Sequence, residues 1–403
     1  MSPPDVGRLP HQPSPGRRRN DGSADEAIYT SRFFIASLSN FFFFSSVNAF
    51  SLLPLYIKAL GGTESQIGGI MGTYSLTAIL AQPLAGALAD RFGRKRFLLL
   101  GSALGILAAI GFAFSSRLDF RFFLLRLVQG VGFSAFYISN LTIVADMVPE
   151  SRRGEAVGLF GISGLITIAL SPALGEQFIQ VSGFPPFFLA AAAAAAAALF
   201  VSLALHDPPH RADKASAEPS LSSLIPSMRI MPPIVLSFVF GVASGTVFVF
   251  LPTHAMQVGL SRIGAFYMAY STAAIGIRLT CGRLSDRWGR LRVILPALLL
   301  TALGSLGLVW LATPVGLLVV GALTGMAHGL LFPALSAYVI DLSGSEERAQ
   351  ALGAFSTAIL LGSGLASFVF GVMAERLGYP SIFLAAAGIA IAAFVVFQRL
   401  GRH

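Results

Sequence analysis

Four ionisable residues of this chain stand among apolar neighbours, and its chemistry is to be sought there: Arg126, Glu176, Arg278 and His328. A charge held in hydrocarbon costs several kcal/mol unless it meets water or a partner. Arg126 is therefore read as facing a wet cavity. Helical spacing sets Phe133, Tyr137 and Asn140 on its face, with Gln129 one turn away. Arg278 either lines the same cavity or stretches its stem towards an interface. His328, with Phe332 one turn on, either titrates near neutrality or packs between helices. Glu176 is the best protonatable carboxylate inside an apolar segment. Earlier in the chain Asn40, Phe44, Asn48 and Ser51 share one helical face. Each of those amides serves either a solute or an interhelical hydrogen bond.

Other chemistries find no foothold. The six His show no metal-ligand spacing, and no Ser/His/Asp set or paired carboxylate emerges in the apolar segments. A G-x-x-x-x-G-K-[ST] loop is absent, so ATP drive within the chain is not expected. Neither an enzyme, a metal nor a cofactor is expected. The single cysteine, Cys281, has no partner in the chain and reads as a small apolar helix residue.

What positions these residues is a membrane fold. Of the 403 residues 55% are apolar and 12% charged, and the mean hydropathy is +0.74. That composition suits a chain whose solvent is lipid. Apolar stretches long enough to cross about 30 Å of hydrocarbon lie near 33–57, 65–89, 97–115, 119–146, 155–179 and 184–205. A second set lies near 230–256, 262–284, 293–312, 315–341, 350–374 and 379–397. The expected organisation is a disordered tail (1–30), a six-helix bundle (31–205), a Pro- and Ser-rich linker (206–228), a second bundle (229–398) and a short tail (399–403). The first thirty residues lack the apolar core of a signal peptide.

Twelve crossings with both ends inside leave Lys58, Arg117, Arg121, Arg262 and Arg376 outside and Arg126 and Arg278 within spans. The rest of the 28 Lys and Arg then fall on the inner side, which is the positive-inside bias. The net charge of +9 thus follows from topology and not from nucleic-acid binding. A multi-pass protein of the plasma (inner) membrane, both termini cytoplasmic, is expected.

One charged string occurs twice. Gly86-x-x-x-Asp90-Arg91-x-Gly93-Arg94-Lys95-Arg96 returns 196 positions later as Gly282-x-x-x-Asp286-Arg287-x-Gly289-Arg290-Leu291-Arg292. At an offset of 195, Asp146 matches Asp341, Arg153 matches Arg348, and Pro185-x-x-Phe188 matches Pro380-x-x-Phe383. Charged and Pro matches carry this repeat, because Leu and Ala align with anything. Two similar halves related by an axis along the membrane normal are a transporter plan.

Over residues 31–398 the chain resembles the major facilitator superfamily, whose loop signature G-x-x-x-D-R-x-G-R-[KR] is followed in full by Gly86, Asp90, Arg91, Gly93, Arg94 and Lys95 and, as far as its arginine, by Gly282, Asp286, Arg287, Gly289 and Arg290. Its fourth-span pattern R-x-x-Q-G-x-G is matched by Arg126, Gln129, Gly130 and Gly132. The fifth-span antiporter pattern is kept only in part, by Pro172 and Gly175. The resemblance implies an all-α membrane fold of twelve helices in two pseudo-symmetric bundles. It implies that the first, fourth, seventh and tenth spans line a central cavity, so that the faces carrying Asn40, Phe44 and Asn48, Arg126, Gln129, Phe133, Tyr137 and Asn140, and His328 and Phe332 meet the solute. It implies an inner latch: Asp90 and Asp286 at helix N-termini of the opposite half, Arg94 and Arg96 reaching Asp146, and Arg290 and Arg292 reaching Asp341.

The expected function is secondary transport by alternating access, with proton-coupled efflux of an amphiphilic or drug-like compound. Arg126, Glu176 and His328 are the coupling candidates. The alternative is an organic anion or sugar transporter, and a remote one is a sensor that moves nothing. The partners expected are a small-molecule substrate, a coupling proton and membrane lipid, with the protein a monomer.

Overall fold

The structure is a computed structural model that describes residues 30–148, 153–205, 228–281, 284–344 and 347–400. Nearly all of the linker and of both tails, and Gly282, therefore lie outside the described residues. Twelve long helices follow in order. The first six are α1 (Ser31–Ala59, with a 3-10 turn at Phe50–Leu52), α2 (Glu64–Phe92), α3 (Arg94–Ala113), α4 (Arg121–Asp146), α5 (Arg153–Ser182) and α6 (Phe184–Leu203). The second six are α7 (Met231–Gln257), α8 (Gly264–Cys281, resumed at Leu284–Trp288), α9 (Arg290–Val309), α10 (Pro314–Leu342), α11 (Arg348–Leu377) and α12 (Tyr379–Leu400). Their ends fall within about three residues of those drawn from hydropathy, the ordinary scatter of helix termini.

Local sequence explains the breaks. Thr63 caps α2 in a reciprocal box with Gln66, and Thr313 accepts from the Gly316 N–H at the start of α10. Gly93 and Gly289 hold φ of +101° and +94°, which a side chain would strain. Each turns the chain sharply between the two helices it joins, so the motif glycine is a backbone requirement.

Among the described residues, ten helices are long and apolar enough to span a bilayer by length and composition alone; α2 and α8 are not among them. The reason is what they carry: Thr73, Tyr74, Ser75 and Gln82 on α2, and Tyr267, Tyr270, Ser271 and Arg278 on α8. Both helices also pack on the other half. Helix α2 packs on α11, and α8 on α5.

At the end away from the doubled loop the halves share one apolar core. Phe50, Ile67, Phe112 and Phe188 of the first half join Phe250, Phe266, Phe370 and Phe383 of the second. At the loop end there are two separate cores, one around Phe33, Leu98, Phe136 and Phe160, the other around Val293, Leu335, Phe355 and Phe397. Backbones touch at the joined end. A Cβ on Gly68 would fall 2.1 Å from the Ser367 carbonyl, and one on Gly264 would fall 2.7 Å from the Ala173 Cα. Towards the loop end Gly158, Gly276 and Gly353 have open space before them. The molecule is thus closed at one end and parted at the other, with a cavity between the halves.

Candidate functional site

Two aromatic shells of matching design occur, one in each half. In the first half the Phe44 ring meets Phe133 at 6.0 Å and Tyr137 at 6.2 Å; Phe133 stacks on Tyr137 at 5.3 Å, and Tyr74 closes the group 5.5 Å from Phe133. In the second half Phe240 lies 5.1 Å from the His328 ring, which is parallel to Phe332 at 5.9 Å. Tyr270 completes this shell, its hydroxyl 2.6 Å from His328 Nδ1. Phe44 and Phe240, and Tyr74 and Tyr270, are 196 positions apart; Phe133 and His328, and Tyr137 and Phe332, are 195 apart. The pairing reproduces the offset of the doubled loop. A small cleft lined by Phe240, Phe248, Tyr270, Thr324 and His328 opens beside the second shell.

Each shell carries one arginine. Arg126 is 4% exposed, lies over the Tyr74 ring at 4.6 Å and donates to Gln129 Oε1 at 2.5 Å. Arg278 lies over the Phe332 ring at 5.6 Å, and its Nη1 comes 4.0 Å from a Cβ built on Gly161 of α5, across the interface. Cation–π contacts of this kind contribute about 0.5 to 2 kcal/mol each. The Arg126 and Arg278 Nε atoms are buried with no hydrogen-bond partner among the described residues.

The asparagines are spent otherwise. The Asn40 amide donates to Ser163 Oγ at 2.8 Å, Asn48 donates to Thr167 Oγ1 at 2.8 Å, and Asn140 donates to the Ala36 carbonyl at 3.2 Å. All three tie helices together inside the first half, the packing alternative left open by the sequence. His328 is likewise anchored, by Tyr270, while its ring remains part of the cavity wall.

Carboxylates hold the two ends. At the closed end Glu176 of α5 accepts from the Ile263 and Gly264 N–H groups at 3.0 and 2.8 Å, capping α8 of the other half. Glu375 of α11 accepts from the Ser65 N–H at 3.0 Å, capping α2. Charge at a helix N-terminus is favourable, and both bonds cross between halves. Tyr379 adds a third crossing, donating to Glu64 Oε1 at 3.2 Å.

At the loop end Arg94 donates to Asp90 at 3.0 and 3.1 Å and also reaches Asp146. Arg290 donates to Asp341 at 2.7 Å and to Asp286. These bridges run within each half. It is Arg94 and not Arg96 that reaches Asp146, and Arg290 and not Arg292 that reaches Asp341. The first arginine of the motif follows the positive-φ glycine directly and so is aimed back across the turn. Arg91 lies over Phe92 at 5.2 Å, and Arg287 is exposed. A Cβ on Gly86 would meet an Ile138 methyl at 3.6 Å, an ordinary contact. With the loop end parted, the bonds described for Asp286 stay with Arg290. The Asp90→Asn protein is expected to insert normally and to transport about fivefold more slowly, the size of an exposed ion pair at its upper end. Surface labelling beside solute flux checks both halves of that statement.

Tyr74, Phe240, Tyr270 and Glu375 escaped the sequence reading. The first three were detectable, since they repeat at the motif's own offset. Glu375 had no such mark, because only the folded contact with Ser65 distinguishes it from a surface acid.

Two helical halves around a cavity that is closed on one face and open on the other define a solute carrier, a transport protein and not an enzyme. Two overlapping matches to the family model described as Major Facilitator Superfamily cover residues 33–322 and 263–402, and the chain belongs to that superfamily. It is 24% identical over 373 residues to the staphylopine export protein of Staphylococcus aureus strain Mu50, covering 88% of this chain and 91% of that one. It is 25% identical over 362 residues to the multidrug resistance protein MdtG of Escherichia coli strain SMS-3-5, covering 85% and 88%. Among solved structures, a point mutant of the nucleoside transporter NupG superimposes with a TM-score of 0.77 at 16% identity, covering 92% of this chain and 99% of that one. The human organic anion transporter MFSD10 does so with a TM-score of 0.66 at 19% identity, covering 90% and 98%. The twelve-helix, two-bundle fold expected from sequence is thereby shown.

Proposed function

We propose that the protein is a secondary active exporter working by alternating access, moving a small amphiphilic or drug-like solute out of the cell in exchange for protons. It lies in the plasma membrane with both termini and the doubled loop on the cytoplasmic side. The observation that carries this reading is the pair of matching aromatic shells, one in each half of a molecule that is joined at one end and parted towards the loop end. Rings that half-face a cavity suit an apolar solute held without tight hydrogen-bond specification. Export is supported by relatives named for export and for multidrug resistance.

The states are exchanged by rocking one bundle on the other. In the state described, the cavity takes solute from the loop side while Glu176 and Glu375 hold the far end shut. Closing the loop end brings Asp90 and Asp286 towards the opposite half, where the latch forms. Arg126, Glu176 and His328 remain the proposed route of proton coupling. Of the alternatives, a sugar is disfavoured because the amide N–H groups meant for it bind helices.

The test is flux in proteoliposomes across a panel of amphiphilic compounds, with and without an imposed pH gradient. The expected result is export that rises several-fold with the gradient. Gradient-independent flux removes the proton, and absence of flux for the whole panel removes the transporter.

A further inference from the structure

Resting on that reading, we infer that the solute is an organic anion: an aromatic or other apolar body bearing a carboxylate, sulfonate or phosphate that Arg126 receives. Electroneutrality carries the argument. Among the residues whose side chains are described, the two aromatic shells carry two arginines, Arg126 and Arg278, and no carboxylate. The acids sit at the two ends and are engaged there: Asp90, Asp146, Asp286 and Asp341 with Arg94 and Arg290, Glu64 with Lys58, Glu176 and Glu375 with helix N-termini. Arg126 meets a neutral amide and a ring, and its Nε donor is left over. A guanidinium at this depth with no counter-charge is costly, and a solute anion removes the cost with charge-assisted, two-pronged hydrogen bonds.

Depth gives the second arginine its part. At about 1.5 Å per residue, Arg126 stands about 8 Å in from the closed end along α4 and Arg278 about 21 Å in along α8. The two are thus spaced about 13 Å along the cavity. Arg278 meets the anion first as it enters from the loop side, and Arg126 holds it at the blind end, with the aromatic shells between them for the apolar body. A cationic solute would meet two like charges and no acid to offset them, so the cavity discriminates by sign.

One scaffold tests this with and without its charge: 8-anilino-1-naphthalenesulfonate against the neutral N-phenyl-1-naphthylamine. Each is titrated onto the protein in zwitterionic-lipid nanodiscs, and the signal of empty nanodiscs is subtracted. Protein-dependent binding of the sulfonate is expected to be about tenfold tighter, the worth of one charge-assisted pair. In Arg126→Gln that preference falls to near parity, while Arg126→Lys keeps part of it. Arg278→Gln lowers the sulfonate association rate about threefold with a smaller change in affinity. Equal binding of the two probes by the unmodified protein overturns the inference, as does no binding of the sulfonate or a preference that survives Arg126→Gln in a monodisperse sample. The panel flux described above judges export separately, so either statement can fail alone.

Discussion

The Gly68→Leu protein is expected to reach the membrane and to lose transport by at least about 100-fold. The added Cβ would fall 2.1 Å from the Ser367 carbonyl oxygen and 2.9 Å from the Gly371 Cα. Those are backbone atoms of a packed helix, so they cannot turn aside as a side-chain tip would. Overpacking of this kind costs about 3 kcal/mol or more, and about 1.4 kcal/mol is tenfold in an equilibrium. In the proposed rocking cycle the penalty falls on the state whose far end is closed, the state in which α2 and α11 touch at this point. The protein is then held in the opposite state, with its loop end shut. A cysteine at Gly158, which has open space before it here, reports that change in a Cys281→Ser background. Its labelling from the loop side should fall with the flux. Gly388→Leu serves as control, since nothing lies within 4 Å of that position. Ordinary turnover by Gly68→Leu would show that the α2–α11 contact is not part of the working cycle.

A second large effect is expected when both closing carboxylates lose their charge together. In Glu176→Gln/Glu375→Gln each amide can still accept a bond from the helix N-terminus it caps, so shape is kept and charge is lost. A charge at a helix end contributes about 0.5 to 2 kcal/mol, more with a direct bond to backbone N–H. Glu176, the partly buried member of the pair, supplies most of the effect, and losing both charges shifts the balance at least about tenfold towards the state open at the far end. Ser271→Cys, at a position now 1% exposed, is the reporter. Reaction with an impermeant thiol reagent added on the face away from the loop should speed up at least about tenfold in the double variant. Each single variant should give an intermediate rate, because the two caps lie on different helix pairs. An unchanged rate would mean that the apolar contacts alone hold that end shut.

What was legible in the chain and what was not divide along a physical line. The helix spans could be drawn from hydropathy because each must cross the same hydrocarbon thickness, a constraint local to the segment. The doubled loop could be recognised because Gly93 and Gly289 serve backbone conformation and Asp90, Arg94, Asp286 and Arg290 pair across a single turn. The pairing of Arg94 with Asp146 was foreseen in kind, yet its choice over Arg96 depended on where the turn aims each side chain. Amides were the hardest to read. Asn40, Asn48 and Asn140 share cavity-facing positions by periodicity, but whether an amide meets solute or Ser163, Thr167 and Ala36 depends on how close the neighbouring helix comes.

By itself the sequence determined a twelve-span chain of two like halves, its motif-bearing loops and the scarcity of charge within the spans, since composition and period act residue by residue along one helix. Only the tertiary structure decided which end is joined and which is parted, that Tyr74 and Tyr270 complete two facing shells, and that Glu176 and Glu375 cap helices of the opposite half. Those outcomes depend on contacts between residues far apart in the chain, 310 positions for Glu375 and Ser65. No periodicity along one segment encodes how close a second segment will come.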